Sequence, residues 1–405
     1  MSEKMKIVLA YSGGLDTSTI VPWLMDNYDC EVHAVCVDVG QVEDVEELKV
    51  RAIKAGAASI SVVDATDELV QDYIFPMLKS GAIYEGKYLL GTSIARPLIS
   101  KILVDKAREL GADAICHGAT GKGNDQVRFE LTIMALAPEI KIIAPWRIWD
   151  IKSRQDAMDY CIKHDIKLNM SVEESYSRDM NIWHLSHEGL DLENPAHCPN
   201  YDHLLQNTVP LSKTPDEPEC VEIEFEKGIP VALDGVKMDG RTLIQALNKL
   251  GGKHGVGVID MVENRVVGMK SRGVYETPGG TILYFAHNEI EQLCLDRETA
   301  AYKRTIAVKY ADLVYSGMWF LPLRKALDAF VNETQETVTG KVKLMLYKGN
   351  LITQSIESPY SLYNEEIASF STGELYDHHD AEGFIKLYGL PLKINALMKM
   401  AQEKK

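Results

Sequence analysis

The sequence contains no two cysteines separated by just two residues. Such pairs are typical of zinc sites and redox motifs. The seven cysteines are scattered instead, at positions 30, 36, 116, 161, 198, 220 and 294, and we expect most of them to be small buried residues. His184 and His187 are three residues apart, but no second pair of ligands with suitable spacing follows. We therefore expect no metal site built from the protein.

Long apolar runs and dense basic clusters are also missing. No stretch approaches the roughly 18 apolar residues of a membrane span, and the apolar run at the N-terminus is too short for a signal peptide. We therefore expect a soluble, cytoplasmic protein without a membrane partner. The formal net charge is −16, from 43 basic and 59 acidic residues. This balance disfavours a nucleic acid held through its phosphates, so small substrates are expected.

Residues 6–18, KIVLAYSGGLDTS, change from an apolar run to two glycines and then to a helical segment. The glycines let the backbone turn close to a ligand. The N–H groups of a helix start suit an anion, as do the hydroxyls of Ser12, Thr17 and Ser18. The pattern predicts a phosphate site. The alternative is an ordinary turn from strand to helix with polar capping residues.

The chain lacks the nucleotide loop G-x-x-x-x-G-K-[ST], and this position does not carry G-x-G-x-x-G. Residues 12–18 resemble instead the pyrophosphate-binding loop of the ATP pyrophosphatases, which hold the β- and γ-phosphates as a leaving group. The resemblance implies ATP as a substrate and AMP, not ADP, as the product. Any Mg²⁺ is expected to arrive with the nucleotide.

Strand and helix patterns alternate after this loop. The series predicts an α/β fold with a doubly wound, mostly parallel, Rossmann-like sheet, whose ligands lie at the carboxyl ends of the strands. The second strand ends near Val37, whose backbone we expect to read the base. The predicted strands are 6–11, 31–39, 59–64, 112–116 and 140–143, and the predicted helices are 20–27, 42–55, 66–78, 94–110 and 153–164.

The second half of the chain has a different pattern of predicted elements. A break near 166–172 leads to hairpins around 221–225 and at 341–347 with 351–358, and to helices at 241–250, closed by Gly251 and Gly252, and at 281–315. The tail reads as a helical pair broken near 389–391. A chain of 405 residues is long for one domain. We predict a nucleotide-binding domain at 1–168, an α+β substrate-binding domain at 169–375 and a C-terminal helical arm at 376–405.

A second glycine-rich loop follows the fourth predicted strand, with GATGKGNDQVRFE at 118–130. Asn124 offers a donor and an acceptor, Arg128 suits a carboxylate and Asp125 suits an amine. The loop predicts an amino acid substrate. In the alternative, Asp125 caps a helix and Arg128 is solvated. Residues 84–93 form either another wall of the site or a capped helix start, with Thr92 or Ser93 as the N-cap.

These segments together resemble the argininosuccinate synthase family in order and in spacing. The match includes both loops, YLLGTS at 88–93, APWR at 144–147, YSRD at 176–179, HLSHE at 184–188, GVG at 255–257, VENR at 262–265 and GVYETP at 273–278. It covers most of the chain. The resemblance implies that ATP, L-citrulline and L-aspartate give argininosuccinate, AMP and pyrophosphate through an adenylylated citrulline. It also implies a homotetramer, with the C-terminal helix crossing to a neighbour.

The resemblance further implies roles for particular residues. ATP would contact Ala10, Tyr11, Ser12, Gly13, Gly14, Leu15, Asp16, Thr17, Ser18, Val37 and Gly118. Aspartate would contact Thr120, Asn124 and Asp125, and citrulline would contact Tyr88, Ser93, Asn124, Arg128, Ser177, Ser186, Glu263 and Tyr275. Asp125, Asp16 and Ser12 are the catalytic candidates. The family has a small residue where Val37 stands, which favours a backbone contact there. The general base is either Asp125 or the leaving phosphate of AMP.

Two other classes share part of this pattern. A pyrophosphatase-loop enzyme with another acceptor, such as a tRNA-modifying thiolase or an amide-forming ligase, would carry reactive cysteines, a basic face or a glutaminase domain, and the sequence shows none of these. A nucleotide-binding protein without catalysis would not need the second loop or Glu263. Citrulline-dependent release of pyrophosphate distinguishes all three.

Overall fold

The computed structural model describes residues 4–41, 44–151, 153–164, 166, 176–369 and 377–404. The chain forms two compact units, Met1–Tyr360 and Ser361–Lys405. The predicted break at 166–172 and the predicted domain boundaries after 168 and 375 lie outside the described residues, apart from Ile166.

The first part of the larger unit is a five-stranded parallel sheet with the order β3-β2-β1-β4-β5. Its strands are β1 (Met5–Ala10), β2 (Cys30–Asp38), β3 (Ser59–Asp64), β4 (Ala114–Cys116) and β5 (Lys141–Ile143). The helices are α1 (Leu15–Asn27), α2 (Val45–Lys54), α3 (Thr66–Glu68), α4 (Phe75–Ser80), α5 (Gly91–Leu110), α6 (Asp125–Leu136) and α7 (Arg154–Lys163), and a π-helical turn, Leu69–Ile74, joins α3 to α4.

Strand β1 shows why the sheet has helices on both faces. Its successive side chains enter two different hydrophobic cores, Val8 on one face and Ile7 and Leu9 on the other, as expected for a parallel strand buried on both sides. The strand order reverses beside β1, because β2 and β4 flank it. The loops after β1 and β4 therefore border one crevice at the carboxyl ends of the strands. The predicted doubly wound parallel sheet is confirmed.

The rest of this unit contains two antiparallel sheets, with the orders β10-β9-β8-β13-β14 and β11-β12-β7-β6. The strands are β6 (Ser177–Met180), β7 (Leu185–Glu188), β8 (Glu219–Glu226), β9 (Ile229–Leu233), β10 (Val236–Lys237), β11 (Val258–Asn264), β12 (Lys270–Glu276), β13 (Gly340–Tyr347) and β14 (Asn350–Glu357). The helices are α8 (Tyr201–Leu204), α9 (Gly240–Lys253), α10 (Pro278–Cys294), α11 (Arg297–Tyr315) and α12 (Pro322–Gln335). This α+β part and its two predicted hairpins are confirmed.

Three details of the predicted helices are wrong. Helix α9 runs through Gly251 and Gly252, because close packing requires the glycines: a Cβ on Gly252 would lie 2.1 Å from the carbonyl oxygen of Asn207. The predicted helix 281–315 is two helices, since Asp296 caps a new start at α11. Neither Thr92 nor Ser93 is the N-cap of α5, which begins at Gly91.

The smaller unit contains α13 (Glu365–Ala368), α14 (His378–Tyr388) and α15 (Leu390–Glu403). Gly389 separates the last two helices, where the break was predicted. Many of their large apolar side chains are exposed, including Phe384, Leu387 and Leu392. Within the described ranges, no helix of either unit is long and apolar enough to cross a membrane.

The buried carboxylate of Glu276, at the end of β12, holds a neighbouring loop. It accepts hydrogen bonds from the backbone N–H groups of Gln206, Asn207 and Thr208, and from Nε2 of His187 at 2.7 Å. Burial would raise the pKa of Glu276, but the hydrogen bonds outweigh it and leave the pKa below its ordinary value. The folded state therefore favours the ionised form.

Replacement of Glu276 with glutamine is expected to lower the free energy of unfolding at pH 7 by about 2–3 kcal/mol, because charged hydrogen bonds are lost. The stabilisation is present above the pKa of the unfolded carboxyl group and disappears as the pH falls through the lower folded-state pKa. Denaturant unfolding at pH 7 and below pH 4 measures both effects. The control is Glu336→Gln, in an exposed pair with Lys227. Equal losses in the two variants would contradict the prediction.

Candidate active site

The loop after β1 is shaped for an anion. Gly13 has a φ of 76°, in the left-handed region that favours glycine, and Arg51 donates to its carbonyl oxygen at 2.7 Å. Gly14 is the N-cap of α1 and supplies no side-chain hydrogen bond, which leaves the helix start suited to an external acceptor. The hydroxyls of Ser12 and Thr17 lie 3.2 Å apart at the same helix end.

This loop borders a cavity of about 270 Å³, which we name the nucleotide cavity. Residues on its wall that were predicted to bind ATP are Ala10, Tyr11, Ser12, Asp16, Thr17, Val37 and Gly118. The other predicted residues are Gly13 and Gly14 in the loop itself, Leu15 in the hydrophobic core, and Ser18, whose buried hydroxyl lies 3.2 Å from that of Tyr11. In the case of Leu15, the side chain is therefore unavailable to a ligand, and only the backbone is suited to bind one.

Gln41 is a residue of this cavity that was not among the predicted ATP ligands. Its Nε2 donates to the carbonyl oxygen of Val37 at 2.8 Å, and its Oε1 accepts from the N–H of Val39 at 2.7 Å. The backbone of Val37, predicted to read the base, is thus already held by a side chain. An adenine base at this edge of the sheet would contact the side-chain amide of Gln41 as well as the backbone of Val37.

A second cavity of about 380 Å³ adjoins the first, and we name it the amino acid cavity. Ser12, Gly118 and Asp125 line both cavities. Predicted substrate residues on its wall are Tyr88, Thr120, Asn124, Asp125, Arg128, Ser177, Ser186, Glu263 and Tyr275. They come from the turn before α5, from the loop after β4, from the start of α6 and from the four-stranded antiparallel sheet. Ser93 is not on the wall: its hydroxyl is buried without a hydrogen-bond partner among the described residues.

Two guanidinium groups cover the carboxylate of Asp125. Nε of Arg96 donates to Oδ2 at 2.9 Å, and Nη1 of Arg128 donates to Oδ1 at 3.0 Å. Burial alone would raise the pKa of Asp125, but the charges of Arg96 and Arg128 outweigh it and lower the pKa. The group is therefore a weak proton acceptor in this arrangement. Arg128 is buried, so the alternative of a solvated arginine is wrong.

Tyr315, at the end of α11, holds two of these residues in place. Its hydroxyl accepts from Nδ2 of Asn124 at 2.8 Å, and its carbonyl oxygen accepts from Nε of Arg128 at 3.0 Å. The N–H of Val266 donates to Oδ1 of Asn124 at 2.9 Å. The side chain of Asn124 is thus oriented from both ends. No motif in the sequence indicated Tyr315, which is far from Asn124 along the chain.

Glu263, on strand β11, lines the amino acid cavity. It is 4% exposed, and its Oε2 is buried without a hydrogen-bond partner in the described part of the chain. Burial raises its pKa. The rings of Tyr88 and Tyr275, which line the same cavity, are 4.5 Å apart. A buried carboxylate with an unpartnered oxygen favours binding of a cationic donor, because that oxygen is otherwise unsatisfied.

His184 and His187, the two closely spaced histidines from which no metal site was expected, have other partners. Nε2 of His184 lies 3.0 Å from the hydroxyl of Thr92, and His187 bonds to Glu276. Burial lowers the pKa of His184 to about 3. Among the residues that the structure describes, no group of three or more histidine, cysteine, aspartate or glutamate side chains is arranged to hold a metal ion.

Several residues of the amino acid cavity were not predicted as site residues, namely Arg96, Arg178, Asp179, Glu188 and Arg265. Their motifs were visible, since YSRD, HLSHE and VENR contain four of them. Arg96 follows the YLLGTS segment by three positions. Charged residues in these motifs were the available signal, but nothing in the sequence says which of them face a cavity.

Comparisons with known proteins identify the family of this chain. Residues 6–167 match the family model described as the arginosuccinate synthase N-terminal HUP domain, and residues 176–395 match the one described as its C-terminal domain. The argininosuccinate synthase of Brachyspira hyodysenteriae is 61% identical over 401 residues, covering 99% of each chain. Those of Acetivibrio thermocellus and Clostridium perfringens (strain ATCC 13124) are 61% and 60% identical, with 98% and 100% of each chain covered. The chain therefore belongs to the argininosuccinate synthase family.

Proposed function

We propose that the protein condenses L-citrulline with L-aspartate at the expense of ATP, giving argininosuccinate, AMP and pyrophosphate, as a ligase of arginine biosynthesis. The observation that carries the proposal is the pair of adjoining cavities with common walls at Ser12, Gly118 and Asp125. A phosphate loop opens into one cavity and charged amino acid ligands line the other. A nucleotide and an amino acid would meet at the shared wall.

The nucleotide cavity suits ATP with its pyrophosphate on the loop. The start of α1 and the hydroxyls of Ser12 and Thr17 would stabilise the negative charge that builds up on the leaving pyrophosphate. Asp16 lines this cavity in the first turn of α1, and carboxylate oxygens are suitable ligands for Mg²⁺ that enters with ATP. The adenine end would lie towards Val37 and Gln41.

The amino acid cavity suits citrulline at its Glu263 side. The α-ammonium would pair with Glu263 and the α-carboxylate with Arg128, assisted by the hydroxyls of Tyr88, Ser177, Ser186 and Tyr275. Ser93 would serve citrulline through its backbone in the first turn of α5, because its hydroxyl is not on the cavity wall. These contacts would direct the ureido oxygen towards the shared wall. There it would attack the α-phosphorus and become a leaving group as part of the adenylate.

Aspartate would bind at the second loop, with its ammonium at Asp125 and with Thr120 and Asn124 as further ligands. Its amine must lose a proton before it attacks the ureido carbon. Because the pKa of Asp125 is lowered by two arginines, we propose that Asp125 orients the ammonium and that the phosphate of the departing AMP accepts the proton. The proposed reaction then needs no general base from the protein.

A direct test is the release of pyrophosphate from ATP. The purified protein is expected to release pyrophosphate with citrulline, ATP and aspartate together, and to exchange labelled pyrophosphate into ATP with citrulline alone. Without citrulline neither signal is expected. Release of pyrophosphate that depends on another acceptor, or release of inorganic phosphate with ADP, would contradict the proposed function.

The variant Glu263→Gln is expected to raise the Michaelis constant for citrulline roughly 10- to 150-fold, because about 1.5–3 kcal/mol of charged hydrogen bonding is lost. The Michaelis constants for ATP and aspartate should change little. Steady-state kinetics of the three substrates measures the difference. Glu85→Gln is a matched control on the adjacent turn, where Glu85 bonds to Asn264. An unchanged Michaelis constant for citrulline would show that Glu263 is not part of the citrulline site.

We propose a cytoplasmic homotetramer in which the C-terminal arm contacts a neighbouring copy. Large apolar side chains on both helices of the arm are exposed, among them Phe384, Leu387, Tyr388 and Leu392, and such patches are typical of interfaces. All seven cysteines are free, as is usual in a reducing compartment. We retain the division into 1–168, 169–375 and 376–405 as part of this proposal.

Light scattering tests the role of the arm. The full chain is expected to have four times the monomer mass, and a chain that ends at Asp380 is expected to form smaller particles, because the apolar face of the last two helices is removed. Circular dichroism checks that the shortened chain is folded. A shortened chain that remains tetrameric would show that the arm does not hold the copies together.

A further inference from the structure

The side chain of Arg96 lies where the two cavities meet, and it lines both of them. Its Nε donates to Oδ2 of Asp125 at 2.9 Å, and its Nη2 donates to Oδ2 of Asp179 at 2.6 Å. The two carboxylates come from different parts of the fold, the first residue of α6 and strand β6. One cation therefore connects two acidic groups across the boundary between the cavities.

The two carboxylates do not share this cation equally. Asp125 has a second partner in Arg128, and its pKa is lowered although burial opposes this. Burial raises the pKa of Asp179 despite Arg96, and the nearby charge of Asp125 adds to the rise. Both oxygens of Asp125 are thus covered by guanidinium groups. An ammonium group that arrives in the amino acid cavity therefore competes with Arg96 for Oδ2.

Arg96 has donors to spare for another acceptor. Its Nη1 makes no hydrogen bond with any residue that the structure describes, and its side chain is 15% exposed, towards the two cavities that it lines. A phosphate group is a stronger partner for a guanidinium than one carboxylate oxygen, because it accepts two parallel hydrogen bonds. A phosphate at the shared wall would therefore compete with Asp125 for Arg96.

We propose that Arg96 is a catalytic residue that exchanges Asp125 for the α-phosphate of the bound nucleotide. The inference rests on the proposed function, in which the loop after β1 holds the leaving pyrophosphate and the α-phosphate faces the shared wall. Asp179 keeps one hydrogen of Nη2 and Nε leaves Asp125, while Nη1 and the second hydrogen of Nη2 turn to the phosphate. The exchange places positive charge at the phosphorus under attack. It also opens Oδ2 of Asp125 to the ammonium of aspartate.

A coupling between the two ligands follows from this exchange. Nucleotide removes Arg96 from Asp125 and so raises the affinity for aspartate, and by reciprocity aspartate raises the affinity for nucleotide by the same factor. Without the guanidinium of Arg96, Oδ2 of Asp125 is open whether or not a nucleotide is bound. Aspartate would then bind equally well with and without nucleotide, and the acceleration of the first step would be lost.

Calorimetric titration of aspartate tests the coupling, with and without an ATP analogue that carries a methylene group between the α- and β-phosphates. In the unmodified protein the analogue is expected to tighten aspartate binding by about 5- to 150-fold. In Arg96→Gln the factor should fall to about one, with tight binding in the absence of the analogue. Arg96→Lys, which keeps the charge but not the fork of donors, should show a reduced factor and serves if the glutamine variant fails to fold.

Exchange of labelled pyrophosphate into ATP with citrulline alone is the second measurement. The rate in Arg96→Gln is expected to fall about 10²- to 10³-fold, as for loss of one donor to developing charge. Arg147→Gln is the matched control, because Arg147 pairs with Glu130 outside both cavities in the described part of the chain. Coupling and exchange should be unchanged there.

The outcomes separate the two proposals. If the unmodified protein shows no citrulline-dependent exchange, the proposed function fails and the role of Arg96 fails with it. If the unmodified protein is active but the folded Arg96 variants keep both the coupling factor and the exchange rate, the proposed function stands and the role of Arg96 is overturned. A loss of activity with an unchanged coupling factor would likewise overturn the exchange of Asp125 for phosphate.

Discussion

Replacement of Asp125 with asparagine is expected to slow the complete synthesis about 10²- to 10³-fold, while pyrophosphate exchange with citrulline alone stays within a few-fold of the unmodified rate. The reason is the position of the carboxylate at the wall between the cavities, where we propose that it holds the ammonium of aspartate. Loss of one partner of a buried charged pair costs about 2–5 kcal/mol. The first step, attack on the nucleotide, does not need that charge.

The structure sharpens this expectation. Asparagine keeps an oxygen that accepts from Arg128, so the arginine proposed for the citrulline carboxylate stays near its position. Arg96 loses a charged partner and becomes more available to a phosphate. Asp105→Asn, which affects an exposed pair with Lys101 on α5, is the control. Exchange that collapses as far as the complete reaction would show that Asp125 serves the first step, and would remove it from the aspartate site.

The parallel sheet could be predicted from the sequence because its strands are short, continuous apolar runs between helices, as in residues 7–10, all of which are buried. The four-stranded antiparallel sheet could not be predicted in this way. Strand β6 has the sequence SRDM and β12 begins with Lys270, Ser271 and Arg272. Polar residues that line a cavity break the alternation on which strand prediction depends.

The residues of the candidate site likewise fall into those that could be predicted from the sequence and those that could not. Residues that lie close together in a glycine-rich segment, such as Asn124, Asp125 and Arg128, could be recognised from their chemistry. Arg96, Asp179 and Tyr315 could not, because each is brought to the site by long-range packing. The contact from Asn124 to Tyr315 spans 191 positions. A sequence pattern identifies which groups are available, but the fold decides which of them share one proton or one cation.

The second large effect concerns the fate of an oxygen atom. If citrulline carries heavy oxygen in its ureido group, all of the label is expected in AMP and none in pyrophosphate or argininosuccinate. The loop after β1 favours a leaving group bound at the start of α1, and the sequence supplies no lysine of the kind that serves transfer of the γ-phosphoryl group. Attack at the α-phosphorus joins the ureido oxygen to AMP, and that oxygen leaves with AMP when aspartate adds to the carbon.

Mass spectrometry of the separated products measures the label, with unlabelled citrulline in heavy-oxygen water as the control for exchange with solvent. The two alternatives give different patterns. Transfer of the γ-phosphoryl group to the ureido oxygen would put the label in inorganic phosphate, with ADP as its partner. Direct attack by aspartate without an adenylate would leave AMP unlabelled. Each pattern contradicts a different step, because only adenylylation at the ureido oxygen carries that atom into AMP while Ser12 and the helix start retain the pyrophosphate.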